Sequence, residues 1–148
     1  MRAMRMLNRV RMSQMRITNR TLPRIDTLEI DKDCVVSSKW LRDYVHTVII
    51  PVCQAHGVKV LSIEYNLSRT KGFHLRIHIT PSVHANLALR LQFLLGDDAK
   101  RVSKNRARIR VGLPNWNKLH EEEHVRYQTI YRHDESVRIE STNTLDRC

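Results

Sequence analysis

The protein is 148 residues long, 41% hydrophobic and 28% charged, which suits one domain with a buried core and excludes a compositionally disordered tail. No apolar run approaches the roughly 20 residues of a membrane span, and Cys34, Cys53 and Cys148, odd in number and widely spaced, encode neither a disulfide framework nor a four-Cys zinc site. Lys and Arg number 26 against 15 Asp and Glu, a net charge of +11 that favours a polyanionic partner, because each cation facing a phosphate releases condensed counterions.

Residues 1–25 hold seven Arg and no acid, and all five Met fall within the first 15 positions. Such a segment reads as an Arg-rich organellar presequence, as the product of an upstream start with true initiation near Met12 or Met15, or as a basic arm that lies on a phosphate backbone. Residues 1–21 are therefore expected to form a flexible basic arm. A single α+β domain follows over 22–148, with its core in 26–119 and a hairpin or helix in 120–148. The expected location is intracellular, cytoplasmic or nucleoid-associated, with organellar import left open.

Thr27 to Asp33 alternates apolar and polar residues, the period of a half-buried strand. Ser37 or Ser38 can cap a helix with apolar positions Leu41, Val45, Val48 and Val52, bent at Pro51 and stopped by Gly57. Val58 to Ser68 and Phe73 to Thr80 read as two strands joined by a short polar turn, a hairpin. A second helix is expected to start near Ser82, to bury Val83, Leu87, Leu91 and Leu94, and to stop at Gly96. Arg106 to Val111, RARIRV, alternates again as a fourth strand.

This β-α-β-β-α-β order predicts a ferredoxin-like or RNA-recognition-type sheet with helices on one face and the other face open. By parity Leu28, Ile30, Leu61, Ile63, Tyr65, Phe73, Leu75, Ile77 and Ile79 point to the helices, together with Ala107, Ile109 and Val111. The open face then carries Glu29, Asp31, Asp33, Ser62, Glu64, Asn66 and Ser68, beside His74, Arg76, His78, Arg106, Arg108 and Arg110. Strands one and three are neighbours in this topology, so Glu29 and Asp31 are expected beside His74 and Arg76. Opposite charges there could be simple cross-strand pairs. Aromatics are missing from these positions, which disfavours base stacking on the sheet. Two carboxylates one residue apart instead suit a divalent cation held through oxygen, able to bridge nucleotide phosphates.

LEID (Leu28 to Asp31), a helix, and a strand running into SRTKGFHLRI (Ser68 to Ile77) together resemble the archaeo-eukaryotic primase and primase-polymerase family. That family has two acids flanking an apolar residue on a strand, then a small hydroxyl residue, a Gly-containing turn and a His opening the next strand. The resemblance covers residues 27 to about 80, with support from LLGDD and the basic stretch after it. It implies a palm-type core and a nucleotidyltransferase that joins nucleoside triphosphates on a DNA or RNA template, with a place in DNA replication. It also implies Mg²⁺ or Mn²⁺ on Glu29 and Asp31, with His74 completing the catalytic set. Ser68, Lys71, His74 and Arg76 would meet the nucleotide, and Lys100, Arg101, Lys104, Arg106, Arg108 and Arg110 would hold nucleic acid. A third acid of the family would fall on Glu140 or Glu64. The alternative is a module of the same fold that binds nucleic acid without turnover.

Other motifs point less far. His120 to His124, HEEEH, fits the H-E-x-x-H zinc signature, but three consecutive acids between the His describe a charged surface segment. His74 and His78 lie about 13 Å apart along one strand, too far to share a metal. Trp116 reads as a packing anchor. Val125 to Ile139 could form a hairpin turning at His133 to Ser136.

Overall fold

Alternation of Leu28 and Ile30 with polar neighbours builds β1 (Ile25–Lys32), and both apolar side chains are fully buried. The structure, a computed structural model, describes residues 22–68, 71–117 and 126–134. The basic arm, HEEEH, Glu140 and most of the expected C-terminal hairpin lie outside the described residues.

Ser37 caps the first helix, its hydroxyl accepting the Trp40 N–H at 3.1 Å. Helix α1 (Ser38–Tyr44) runs through a π-helical turn (Val45–Ile49) into α2 (Ile50–Ala55). Proline has no N–H and crowds the carbonyl four residues back. Here the wider turn accommodates Pro51, with the Ile50 N–H reaching back to the Val45 carbonyl. The extra residue in that turn also rotates the apolar stripe. Leu41, Val45, Ile49 and Cys53 are buried, whereas the expected Val48 and Val52 are only partly so.

β2 (Lys59–Leu67) and β3 (Phe73–Val83) form the expected hairpin. A bulge between Val60 and Ser62 changes the parity at the start of β2, so Val60 is buried and Leu61 exposed, the reverse of strict alternation. In the turn, the Ser68 N–H donates to the Gly72 carbonyl and the Lys71 N–H to the Ser68 hydroxyl. Gly72 has φ +144°, and a Cβ there would stand 2.0 Å from the Lys32 carbonyl oxygen, so only glycine lets the turn meet the end of β1.

β3 runs on to Val83, which pairs with Ile25, so the next helix begins later than Ser82. Arg24 takes up Ser82 instead, through its hydroxyl and its carbonyl. Helix α3 (Ala85–Leu94) buries Ala85, Ala88, Leu89, Leu91 and Gln92, and leaves Leu94 exposed.

The RARIRV segment is helical, a correction to the expected fourth strand. It ends α4 (Ala99–Arg110), which Asp98 caps by accepting the Lys100 N–H. Val102, Asn105 and Ile109 recur at helical spacing and are buried, while Ala107 and Val111 are exposed. The fourth strand is β4 (Gln128–Arg132).

The result is an α+β fold whose antiparallel four-stranded sheet has the order β1-β3-β2-β4. β4 therefore borders β2 and leaves the outer edge of β1 to the α3–α4 turn. Trp116 is fully buried and packs in the main core. Among the described residues no helix is long and apolar enough to cross a membrane.

Candidate active site on the open sheet face

The register places three acid–base pairs across the open face. Asp31 faces His74, Glu29 faces Arg76, and Glu64 also faces Arg76 from the other side. The Asp31 Oδ1 to His74 Nε2 distance is 3.0 Å, with both side chains about one-third exposed. Glu29 Oε1 lies 3.5 Å from Arg76 Nε, and Glu64 Oε1 lies 3.6 Å from His78 Nε2. The other ring nitrogen of His78 meets the Thr27 hydroxyl at 3.2 Å. Glu29, Asp31, His74 and Arg76 are thus brought together, as the strand parity predicts.

Glu29 and Asp31 are held from the outer edge of their strand as well. The Glu29 N–H donates to Gln92 Oε1 (3.0 Å) and the Asp31 N–H to Asp97 Oδ1 (2.9 Å). The Asp98 N–H donates to the Asp31 carbonyl, and Arg101 Nη1 to the Glu29 carbonyl at 3.0 Å. Arg101 also donates to Asp97 Oδ2 at 2.6 Å and to the Asn117 carbonyl, and approaches Glu29 Oε2 at 4.0 Å. Gln92 and Asn117 exchange reciprocal amide hydrogen bonds of 2.8 Å behind this row. Side chains thereby satisfy the strand edge that another strand would otherwise pair. Asp97 is buried, and burial pushes its carboxyl up against the opposing pull of the Asp31 N–H and Arg101.

Of the remaining expected residues, Ser68 and Lys71 form the hairpin turn, close to the end of β1 that Gly72 touches. The basic cluster is not on the open face, because α4 is a helix. Arg101 is turned inward and only 12% exposed, Arg108 donates to Asn105 Oδ1, and Lys100, Lys104, Arg106 and Arg110 are exposed on the helix layer.

Tyr127, just before β4, was not anticipated. The Arg76 guanidinium lies 4.1 Å from its ring centroid. Its buried hydroxyl has no hydrogen-bond partner among the described residues. Burial raises the phenol's pKa; Arg76 lowers it, and Glu29, Asp31 and Glu64 raise it further, so the ring sits within the field of all three acids. The apolar–polar alternation around Tyr127 signals a strand, but nothing local shows which β-strand it flanks. Asp97, Arg101 and Gln92 were also missed as supports of the acid pair.

Glu29 and Asp31 are hard oxygen donors of the class Mg²⁺ or Mn²⁺ takes, and Mg²⁺ commonly uses one or two carboxylates with substrate phosphates and water. The donor set fits such an ion in company with a phosphate ligand. Among the described residues no group of three His, Cys, Asp or Glu is placed to hold a metal by itself. Comparison with protein-family models, with curated proteins and with solved structures finds no match for this chain.

Proposed function

We propose that the protein is a nucleic-acid-binding, primase-like nucleotidyltransferase whose open sheet face carries the reaction centre. The observation that carries this reading is the placement of Glu29 and Asp31 beside Arg76 and His74, next to the Ser68–Gly72 turn. The order of β1, helix, β2, β3 and helix agrees with a palm-type, ferredoxin-like core, although β4 takes the opposite edge.

In this reading Glu29 and Asp31 would hold Mg²⁺ or Mn²⁺, which when bound neutralises phosphate charge and acidifies an attacking hydroxyl. His74 and Arg76 present donors to the triphosphate, and Ser68 and Lys71 approach it from the turn. Gln92, Asp97 and Arg101 fix the backbone beneath both acids, which keeps their separation constant as charge moves.

A second reading, nucleic-acid binding without turnover, has its own support: each acid already faces a basic side chain, Asp31 the His74 ring and Glu29 the Arg76 guanidinium. Incorporation of labelled nucleotides on DNA and RNA templates separates the two. The wild-type chain should extend or start chains only with Mg²⁺ or Mn²⁺, and Asp31→Asn should not. Binding without incorporation under every template and metal condition favours the second reading. Nucleotide binding that ignores metal and survives Asp31→Asn rules out the site.

A further inference from the structure

The basic cluster divides in two along α4. Arg101 faces the β1 edge, whereas Arg106 and Arg110 line a groove of about 470 Å³ between α3 and α4, joined there by Arg90 from α3. None of these three arginines has an ion pair or hydrogen bond among the described residues. The groove's lining contains no carboxylate. Its floor includes Leu89 and Ile109, and Phe93 stands in it 56% exposed. Phe93 is the aromatic ring of this lining, and it stands among the three arginines.

We infer that this groove is the track of a single nucleic-acid strand, with Phe93 stacking on a base and Arg90, Arg106 and Arg110 on successive phosphates. The inference rests on the nucleic-acid reading above and assigns it to a surface separate from the open sheet face. Four residues of helix place Arg106 and Arg110 about 6 Å apart along the axis, a step comparable to that between phosphates of an extended strand. Arginine suits the role, because its planar fork binds phosphate oxygens in pairs. A positive groove with an aromatic platform matches single strands better than duplex, whose bases are already stacked. It also matches them better than an acidic protein segment, which would supply charge and leave Phe93 unused.

Anisotropy of labelled oligo-dT and oligo-U against the full chain, over a salt series, tests this. The triple variant Arg90→Gln, Arg106→Gln, Arg110→Gln should reduce the slope of log affinity against log salt by about 2, since each phosphate contact on a single strand contributes about 0.7. Phe93→Ala should weaken binding about 5- to 150-fold at every salt with the slope unchanged, and Phe93→Tyr should restore it. Duplex affinity should ignore Phe93→Ala. All three groove residues and Phe93 are exposed, and circular dichroism checks that the variants fold. Wild-type affinity and slope in both variants would overturn the groove while leaving the proposed function in place, because salt-dependent binding would persist. Competition by polyglutamate as strong as by oligonucleotide would also overturn it, in favour of an acidic protein partner. No binding of either oligonucleotide at low salt removes both readings.

Discussion

At the scale of single residues, the open face sets acid–base pairs beside a phenol hydroxyl that has no partner among the described residues. Asp31 and His74 are about one-third exposed, and an acid–base pair so placed contributes at most about 1 kcal/mol. Asp31→Asn and His74→Ala should therefore shift unfolding free energy by no more than about 1 kcal/mol. Their effect on nucleotide binding should be far larger. Two carboxylates facing a triphosphate repel it, so wild-type binding should require Mg²⁺ or Mn²⁺ and Asp31→Asn should lose that requirement. Calorimetry of nucleoside triphosphate binding with and without metal decides; equal affinities in wild type and both variants would sink the site. Tyr127 gives a sharper contrast. Its hydroxyl is buried without a partner among the described residues, and phenylalanine keeps the ring under Arg76. Tyr127→Phe should leave stability unchanged or raise it by up to about 1 kcal/mol, because an unsatisfied group is removed. Calorimetry of nucleotide binding then reads whether that hydroxyl meets the ligand, since affinity falls only if it does; a loss of stability instead would mark it as structural.

At the scale of elements, the α3–α4 turn is what makes β1 an interior strand in chemical terms. Asp97 accepts from both the Asp31 N–H and Arg101. Asp97→Ala leaves the Asp31 N–H unmatched and takes from Arg101 its nearest carboxylate, although Arg101 keeps the Glu29 and Asn117 carbonyls; the loss should cost about 3 kcal/mol, read from denaturant unfolding. Asp97→Asn keeps an oxygen for them and should cost less. Because burial raises the Asp97 carboxyl above its unfolded value, the folded state holds that proton more tightly. The stability Asp97 contributes is thus greatest below the unfolded value of about 4 and declines as pH rises through the folded one. Asp97→Asn, which cannot ionise, should lack this decline. The same turn explains which parts of the fold were legible. Alternation in β1 and β3 and the hairpin between β2 and β3 are local signals, and Glu29, Asp31, His74 and Arg76 were readable from them. RARIRV also alternates, but only over six residues, whereas Val102, Asn105 and Ile109 behind the Asp98 cap carry a longer helical period. The free edge that a strand would need is taken by Asp97, Asp98 and Arg101, a long-range fact with no local signature. The π-helical turn just before Pro51 and the bulge after Val60 each shift the pattern by one residue, which strict periodicity does not register.

At the scale of the molecule, charge is unevenly placed, and so should be its effect on binding. Of the net +11, residues 1–25 supply +7 and the other 123 residues +4. The open face adds no excess of cations, since Glu29, Asp31 and Glu64 lie against Arg76, His74 and His78. The helix layer does, since Arg90, Arg106 and Arg110 meet no acid among the described residues. Two cationic regions therefore remain to meet phosphate, the N-terminal segment and the α3–α4 groove. Affinity for single- and double-stranded nucleic acid should fall steeply as salt rises, because bound cations replace condensed counterions. Deleting residues 1–15 removes Arg2, Arg5, Arg9 and Arg11, and should flatten the single-strand slope by up to about 3. Arg106→Ala, Arg108→Ala and Arg110→Ala together should weaken binding on every sequence tested, since phosphate contacts carry no base information. The two changes touch separate parts of the chain, so their losses in log affinity should add. Filter binding across a salt series on the deletion, the triple variant and their combination checks this. A salt-independent wild type, or a deletion and triple variant that both keep the full slope, would sink the electrostatic account.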